Sequence, residues 1–248
     1  GGRLGLNVVA GWNKPEYDAF GIDLPSNHSD RYAMAQEWFD YIQKLWTADT
    51  AFDWDGDFYQ GKGVYSLPHP VQPKIPIINA AGSEEGRAFA MRNADFLFTP
   101  VFDFDQAKAT VADITERAAS VNRKVDVLTL CTVVCRPTQQ EAEDYLNWYS
   151  EEQADWDAVD NLMTLQGMHA QSFTPEALAL YRDRMAAGHG GFPLVGTPDT
   201  IADLLEELSD TGIAGTTLAF VDYAKEFPYF RQEVLPRLEA KGLRQPVN

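Results

Sequence analysis

The sequence predicts an α/β fold of the TIM-barrel type. Apolar segments of strand length alternate along the 248 residues with longer segments of helical periodicity, and this alternation is typical of parallel α/β folds. The length also matches one (β/α)₈ barrel, which typically takes about 250 residues. We therefore expect residues 1–248 to form a single domain.

The first half of the chain contains short apolar runs that end in Gly, Pro, Asn or small residues, as buried parallel strands do. The predicted strands are Arg3–Ala10, Pro76–Ala80 and Asp95–Thr99. Apolar residues at three- and four-residue steps predict helices at Asp30–Trp46, Ser83–Asn93 and Asp103–Val121. Aromatic residues alternate around an Asp-Gly pair in Phe52–Tyr59, which indicates a β-hairpin that decorates the barrel.

The second half adds two predicted strands, Val125–Cys135 and Gly215–Val221, for a total of five. A capping box predicts a helix after Thr138. Thr-Pro pairs at Thr174 and Thr197 suit the N-cap and first residue of two further helices. A closing helix is predicted at Glu226–Lys241. Residues at about 154–190 are helical and acidic without a clear strand, so we expect a helical insertion there, which is a candidate lid.

The segment Gly190–Thr197 has two interpretations. Its glycines precede a helix start, as they do in phosphate-binding loops. Such arrangements are common, and the glycines and proline are also typical of a turn that closes one unit of the fold. We expect the turn.

Charge and hydropathy narrow the possible partners. The formal net charge of −17 would repel nucleic acid and anionic membranes. No apolar run reaches the roughly 18 residues needed to cross a bilayer, and the start of the chain has no signal-peptide pattern. The sequence thus predicts a soluble cytoplasmic protein that binds neither nucleic acid nor membranes.

The cysteines and histidines do not indicate a metal site or a disulfide. Cys131 and Cys135 lie in one predicted strand, where a spacing of four residues separates them by roughly 13 Å. We expect both to be small core residues. The four histidines are scattered without ligand spacing, so we predict no metal site.

Several spaced motifs cover nearly the whole chain. The first is G-R-x-G-x-N-x-x-x-G-W in Gly2–Trp12, followed by E-Y at Glu16 and by R-Y at the head of the first long helix. The others are D-x-x-G-D-F-Y from Asp53, P-x-P-V-Q-P from Pro68, A-A-G-S-x-x-G from Ala80, N-A-D-F-L-F from Asn93, G-G-F-P-L-V-G-T-P-D from Gly190 and F-V-D-Y from Phe220.

Together these motifs resemble the luciferase-like family of flavin-dependent monooxygenases, nearest to its dimethyl sulfone and pyrimidine monooxygenase branch. The resemblance implies a (β/α)₈ barrel and places the opening motif on a middle strand. It further implies that about three strand-helix units of the family lie outside this sequence, so that residues 1–248 form a partial flavin-binding barrel. A true five-stranded fold is the alternative, although its open sheet edge would favour aggregation.

The resemblance also implies flavin-binding roles for five residues. Ser83 matches the position that holds the flavin phosphate, although the residues alone favour an ordinary helix cap. Asn7 lies in an apolar strand, where a buried amide needs a partner, and the polar edge of the flavin ring would supply one. The alternative is a hydrogen-bonding residue of the core.

Glu16 matches a flavin-contacting glutamate, with a solvated loop acid as the alternative. Arg31 suits a phosphate, and Tyr32 suits a hydrogen bond or stacking on the cofactor, with a core aromatic as its alternative. Aromatic residues at Trp12, Phe102 and Phe104 are candidate walls of a substrate pocket. No catalytic acid or base is predicted.

The family resemblance implies a monooxygenase that uses reduced FMN and O₂ on a small organosulfur or nitrogen-heterocyclic substrate. It also implies a separate flavin reductase and a homo-oligomer. Two alternatives stay open at this point: a deazaflavin-dependent oxidoreductase on the same fold, and a noncatalytic flavin-binding barrel fragment.

Overall fold

The computed structural model describes residues 2–166 and 174–246. These residues form two compact units. One comprises the chain up to Leu97 together with Arg117–Val125, and the other comprises Phe98–Glu116 and the chain from Asp126 onwards.

The first unit combines short strands with three helices. Its strands are β1 (Leu6–Val8), β2 (Phe52–Asp55), β3 (Gln60–Val64), β4 (Ile77–Ala80) and β5 (Phe96–Phe98), and β5 reaches the unit boundary. Its helices are α1 (Lys14–Ala19), α2 (His28–Thr47) and α3 (Glu84–Asn93). The predicted strands, helices and hairpin of this unit all form, with shifted ends. Helix α1 was not predicted, because it has six residues and none of them is buried.

The strands β1 and β4 pair in parallel, with Asn7 opposite Ile78, and β4 lies between β1 and β5. The Asn79 side chain is fully buried, and its Nδ2 donates a hydrogen bond of 2.7 Å to the Val8 carbonyl. Phe39 of α2 packs edge-on against Phe89 of α3 at 6.2 Å between ring centroids. This ring contact joins the two helices.

Strands β2 and β3 form the predicted antiparallel hairpin, and Glu37 of α2 holds its tip. The Glu37 carboxylate accepts hydrogen bonds from the Phe58 and Tyr59 amides at 2.9 and 2.8 Å. Burial disfavours the ionised form of the Glu37 carboxyl group and would raise its pKa, but the hydrogen bonds to the carboxylate outweigh burial and lower the pKa. A Cβ atom on Gly56 would lie 1.9 Å from Glu37 Oε1, so glycine is required at the tip of the hairpin.

The second unit contains the remaining elements. They are α4 (Phe104–Ser120, whose last turn belongs to the first unit), β6 (Asp126–Cys135), α5 (Gln139–Asn147), a π-helix (Trp148–Glu152), α6 (Trp156–Leu165), α7 (Pro175–Gly188), β7 (Phe192–Gly196), α8 (Pro198–Asp210), β8 (Gly215–Ala219), α9 (Tyr223–Glu233) and α10 (Leu235–Ala240). Strand β6 pairs in parallel with both β7 and β8.

Strand β7 corrects the turn expected at Gly190–Thr197. Phe192–Gly196 pairs with Cys131–Cys135 of β6, so only the glycines before it turn the chain. Pro193 and the flanking glycines suggested a turn, but a strand that pairs on one side tolerates a proline. The strand exists because β6 extends far enough to pair with it, which local sequence does not reveal.

The remaining differences lie in the helices of the second unit. The predicted closing helix is two helices, α9 and α10, which meet at Val234. Thr174 caps α7 and Pro175 is its first residue, as predicted, whereas Phe173, where an interruption was expected, lies outside the described residues. The helical insertion and the single-domain organisation stay predictions.

The two cysteines are buried free thiols on β6, as expected. Burial raises the pKa of each thiol to about 11, so both are inert at neutral pH. No helix among the described residues is long and apolar enough to cross a membrane.

Candidate functional site

The strand β1 exposes Asn7 instead of burying it, which corrects the premise of the prediction. Asn7 is solvent-exposed, whereas its neighbour Val8 is buried on the opposite face of the strand. The apolar run suggested burial on both faces, but alternate residues of a strand point to opposite faces and only one face is covered. The Asn7 amide is therefore free to bind a ligand, but folding does not require one.

Asn7 borders a pocket of about 320 Å³ between β1 and α2. The pocket is also lined by Tyr17, Trp38 and Tyr59. No role is predicted from the sequence for the two tyrosines, although both belong to the spaced motifs, Tyr17 to E-Y and Tyr59 to D-x-x-G-D-F-Y. Burial raises the pKa of Tyr59, so its hydroxyl remains protonated and can donate a hydrogen bond.

Ser83 is the N-cap of α3. Its Oγ accepts a hydrogen bond of 3.2 Å from the Gly86 amide, and its carbonyl accepts one of 2.9 Å from the Arg87 amide. The Glu84 and Glu85 amides remain, and they have no partner within the helix. The structure thus shows the cap, and it leaves two N–H groups at the helix start for a ligand.

Tyr32 joins the start of α2 to this cap. Its hydroxyl shares a hydrogen bond with the Ser83 side chain. Burial raises the Tyr32 pKa, and the bond to Ser83 and the charge of Arg31 only partly offset that effect, so the hydroxyl is neutral at physiological pH. A Cβ atom on Gly86 would lie 2.4 Å from the Tyr32 hydroxyl, which explains the second glycine of the A-A-G-S-x-x-G motif.

Arg31 links the loop after β1 to the start of α2. Its Nη1 donates to the Gly11 carbonyl and its Nε to the Asn27 carbonyl, both at 3.3 Å. Gly11 has a φ of +90°, and a Cβ atom there would lie 2.3 Å from the Tyr17 hydroxyl, so no other residue fits. Since a guanidinium has five N–H groups, Arg31 keeps donors for a ligand while it holds the loop.

Glu16 lies on α1. It is exposed in the first turn of α1 and accepts a hydrogen bond of 2.7 Å from Asn13 Nδ2. This geometry matches the solvated loop acid that was its alternative interpretation. Of the five predicted residues, the structure brings Tyr32 and Ser83 together. Arg31 lies next to Tyr32 in α2 and contacts the Gly11 carbonyl, while Asn7 and Glu16 lie on β1 and α1. Flavin contact by all five stays a prediction.

The three aromatic residues predicted as walls of a substrate pocket differ in their surroundings. Trp12 is 43% exposed, while Phe102 and Phe104 pack against Tyr181 and Phe192 at 5.9 and 5.2 Å between centroids. Within the described part of the chain, no cluster of three or more His, Cys, Asp or Glu residues has the geometry to hold a metal ion.

Comparison with known proteins decides the family. The family model for luciferase-like monooxygenases matches residues 1–215. The chain belongs to the luciferase-like monooxygenase family. This membership confirms the resemblance drawn from the spaced motifs.

Two curated relatives belong to the branch that the motifs indicated. The chain is 31% identical to an FMNH₂-dependent dimethylsulfone monooxygenase of Pseudomonas putida, over 95% of this chain and 66% of the relative. It is 29% identical to a pyrimidine monooxygenase of Bradyrhizobium, over 98% of this chain and 69% of the relative. The chain thus spans about two thirds of the length of these proteins.

A solved structure establishes the fold. Riboflavin lyase, crystallised with modified FMN and riboflavin, matches with a TM-score of 0.84 at 23% identity, over 98% of this chain and 65% of that protein. The fold is the α/β fold of the luciferase-like TIM barrels, as the sequence predicted.

Proposed function

We propose that this chain is the flavin-binding part of a monooxygenase that uses reduced FMN and O₂. The observation that carries the proposal is the contact of Tyr32 with the Ser83 cap at the start of α3, with Arg31 next to Tyr32 in α2. Its support from relatives is the FMNH₂ dependence of the dimethylsulfone monooxygenases.

The start of α3 fits the phosphate of FMN. A helix N-terminus carries partial positive charge, and here the Glu84 and Glu85 amides, the Ser83 hydroxyl and the Arg31 guanidinium add donors. A side chain on Gly82 would meet no atom within 4 Å, so the space beside the helix start is open. The Glu84 carboxylate, which would oppose a phosphate, is paired with Arg117.

The ring of FMN would lie toward β1. Asn7 presents an exposed amide that both donates and accepts, which matches the carbonyl and N–H groups of an isoalloxazine edge. Glu16 and the loop held by Arg31 would complete the contacts. When bound, reduced flavin supplies the reaction with O₂, and the protein positions the ring and excludes water.

The substrate proposed is a small organosulfur compound or nitrogen heterocycle, supported by the relatives that act on dimethylsulfone and pyrimidines. The proposal includes a separate flavin reductase that delivers reduced FMN, a cytoplasmic location and a homo-oligomer.

The test is an anaerobic titration of the chain with reduced FMN and, separately, with a reduced deazaflavin. We expect FMN to bind at least about tenfold more tightly, which corresponds to about 1.4 kcal/mol. The FMN complex should then consume O₂ and oxygenate dimethylsulfone or uracil when a flavin reductase supplies the cofactor. Preference for the deazaflavin would overturn the cofactor assignment. FMN binding without product from any sulfone, sulfonate or pyrimidine would overturn the substrate class.

A further inference from the structure

A second pocket in the first unit has a charge opposite to that of the chain. It encloses about 830 Å³ between the ends of α2 and α3 and the segment that leads into β4. We call it the cationic pocket and define it by six of its lining residues: Lys44, Trp46, His69, Lys74, Arg92 and Arg123.

The composition of this lining is unusual for so acidic a chain. Four of the 20 Lys and Arg residues line the pocket, and no Asp or Glu does, although the chain has 37 of them. The acid next to the pocket is Asp95, which pairs with Lys74 and lies 3.8 Å from Arg123.

Packing within the unit accounts for some of these cations. Lys44 lies over the Phe52 ring at 4.4 Å, and Arg123 donates to the Arg92 and Ala94 carbonyls at 2.7 and 2.8 Å. The ends of α2 and α3 also carry partial negative charge, about half an elementary charge each. When the negative charges of Asp95 and of the two helix ends are subtracted from the charge of the four cations, a net positive charge of about two remains.

Packing contacts do not account for two other groups in the pocket. His69 Nε2 is buried and has no hydrogen-bond partner among the described residues. Within the same residues the Arg92 guanidinium has neither a hydrogen bond nor an ion pair. A buried ring nitrogen without a partner costs free energy, and a bound ligand would recover it.

We propose that the cationic pocket binds a small phosphate-bearing molecule. Arg92 and Lys44 contribute the charge that attracts it, His69 Nε2 hydrogen-bonds it, and the Trp46 side chain offers an apolar wall. The volume accommodates a ligand of nucleotide size. This site is separate from the start of α3, and the proposal does not depend on the flavin function.

The experiment uses inorganic pyrophosphate as the probe and isothermal titration calorimetry at low and moderate salt. We expect saturable binding that weakens as salt rises, because surface charges are screened. Arg92→Gln should weaken binding at least about tenfold. Lys108→Gln, which removes an exposed cation outside the pocket, should leave it within about twofold.

The His69 ring gives an independent measurement. Pyrophosphate should shift its imidazole NMR resonances in the wild-type chain and in Lys108→Gln, with the same midpoint as the calorimetric titration. Absence of saturable binding, equal losses in Arg92→Gln and Lys108→Gln, or His69 resonances that do not move would each overturn the proposal.

Discussion

The starts of α3 and α8 look alike in sequence and differ in structure. Each helix follows a parallel strand, has a glycine just before a Ser or Thr N-cap residue, and has an acidic residue in its first turn. At α3 the Ser83 hydroxyl bonds the Tyr32 side chain, and the space beside Gly82 is open.

At α8 the same positions are closed. The Thr197 hydroxyl bonds the Thr200 hydroxyl at 3.0 Å, Pro198 provides no N–H, and Asp199 pairs with Arg237 at 2.6 Å. A Cβ atom on Gly196 would lie 2.5 Å from Gln139 Oε1. A glycine followed by a hydroxyl at a helix start is thus only a cap unless distant residues leave its donors accessible.

Substitution of each cap by aspartate should separate the two helix starts most strongly. Aspartate also caps helices, so both variants should keep their unfolding free energy to within about 1 kcal/mol. Ser83→Asp puts a carboxylate beside the proposed phosphate and should weaken FMN binding about 100-fold, or about 2.7 kcal/mol. Thr197→Asp should leave FMN binding unchanged. Flavin fluorescence titration measures both, and equal effects would remove the distinction between the two helices.

The two glycines of the α3 loop should differ next. Gly86→Ala forces a Cβ against the Tyr32 hydroxyl and Ala81, and should lower the unfolding free energy by about 1–2 kcal/mol and FMN affinity about tenfold. Gly82→Ala enters the open space, so it should weaken FMN binding without loss of stability. Urea denaturation and FMN titration test the pair, and a stable Gly86→Ala protein with normal affinity would contradict the packing described.

Removal of the Tyr32 hydroxyl should have a smaller effect. Tyr32→Phe keeps the ring against Phe89 but loses the bond to Ser83, so FMN affinity should fall about fivefold, within the range of one neutral hydrogen bond. The raised Tyr32 pKa keeps the wild-type hydroxyl protonated below its ordinary value near 10. Its contribution should therefore be constant from pH 7 to 9 and be lost only as the pH rises through the raised pKa. A loss of FMN affinity between pH 7 and 9 that is absent in Tyr32→Phe would contradict this.

The smallest effect is expected at the closed helix start. Thr197→Ala removes the α8 cap and should lower the unfolding free energy by about 1 kcal/mol, with FMN affinity unchanged. Thermal denaturation measures the first quantity and fluorescence titration the second. Reduced FMN affinity in this variant would show that α8 takes part in binding.

Local signals made much of the fold predictable. Caps are encoded within four residues, so Thr138, Thr174 and Thr197 cap helices as expected, and Ser83 does so in line with its alternative interpretation. Alternating strand and helix patterns fixed the fold class. Strand β7 escaped prediction because its existence depends on pairing with β6, not on its own composition.

The site was less predictable for the same reason. The exposure of Asn7 depends on what covers one face of β1, and the roles of Glu37 and Tyr17 depend on contacts with distant loops. Nothing near Arg31 in sequence indicates its bond to the Gly11 carbonyl. Spaced motifs identified the family, and the structure was needed to show which motif residues meet.

The most direct test of the account compares FMN with riboflavin, which lacks the phosphate. Dissociation constants for both should be measured by fluorescence titration on the wild-type chain and on Ser83→Asp. We predict that the wild-type chain prefers FMN about 100-fold and that Ser83→Asp reduces the preference to about one, with riboflavin binding unchanged. Equal affinity for the two flavins in the wild-type chain, or a preference that survives in Ser83→Asp, would contradict it.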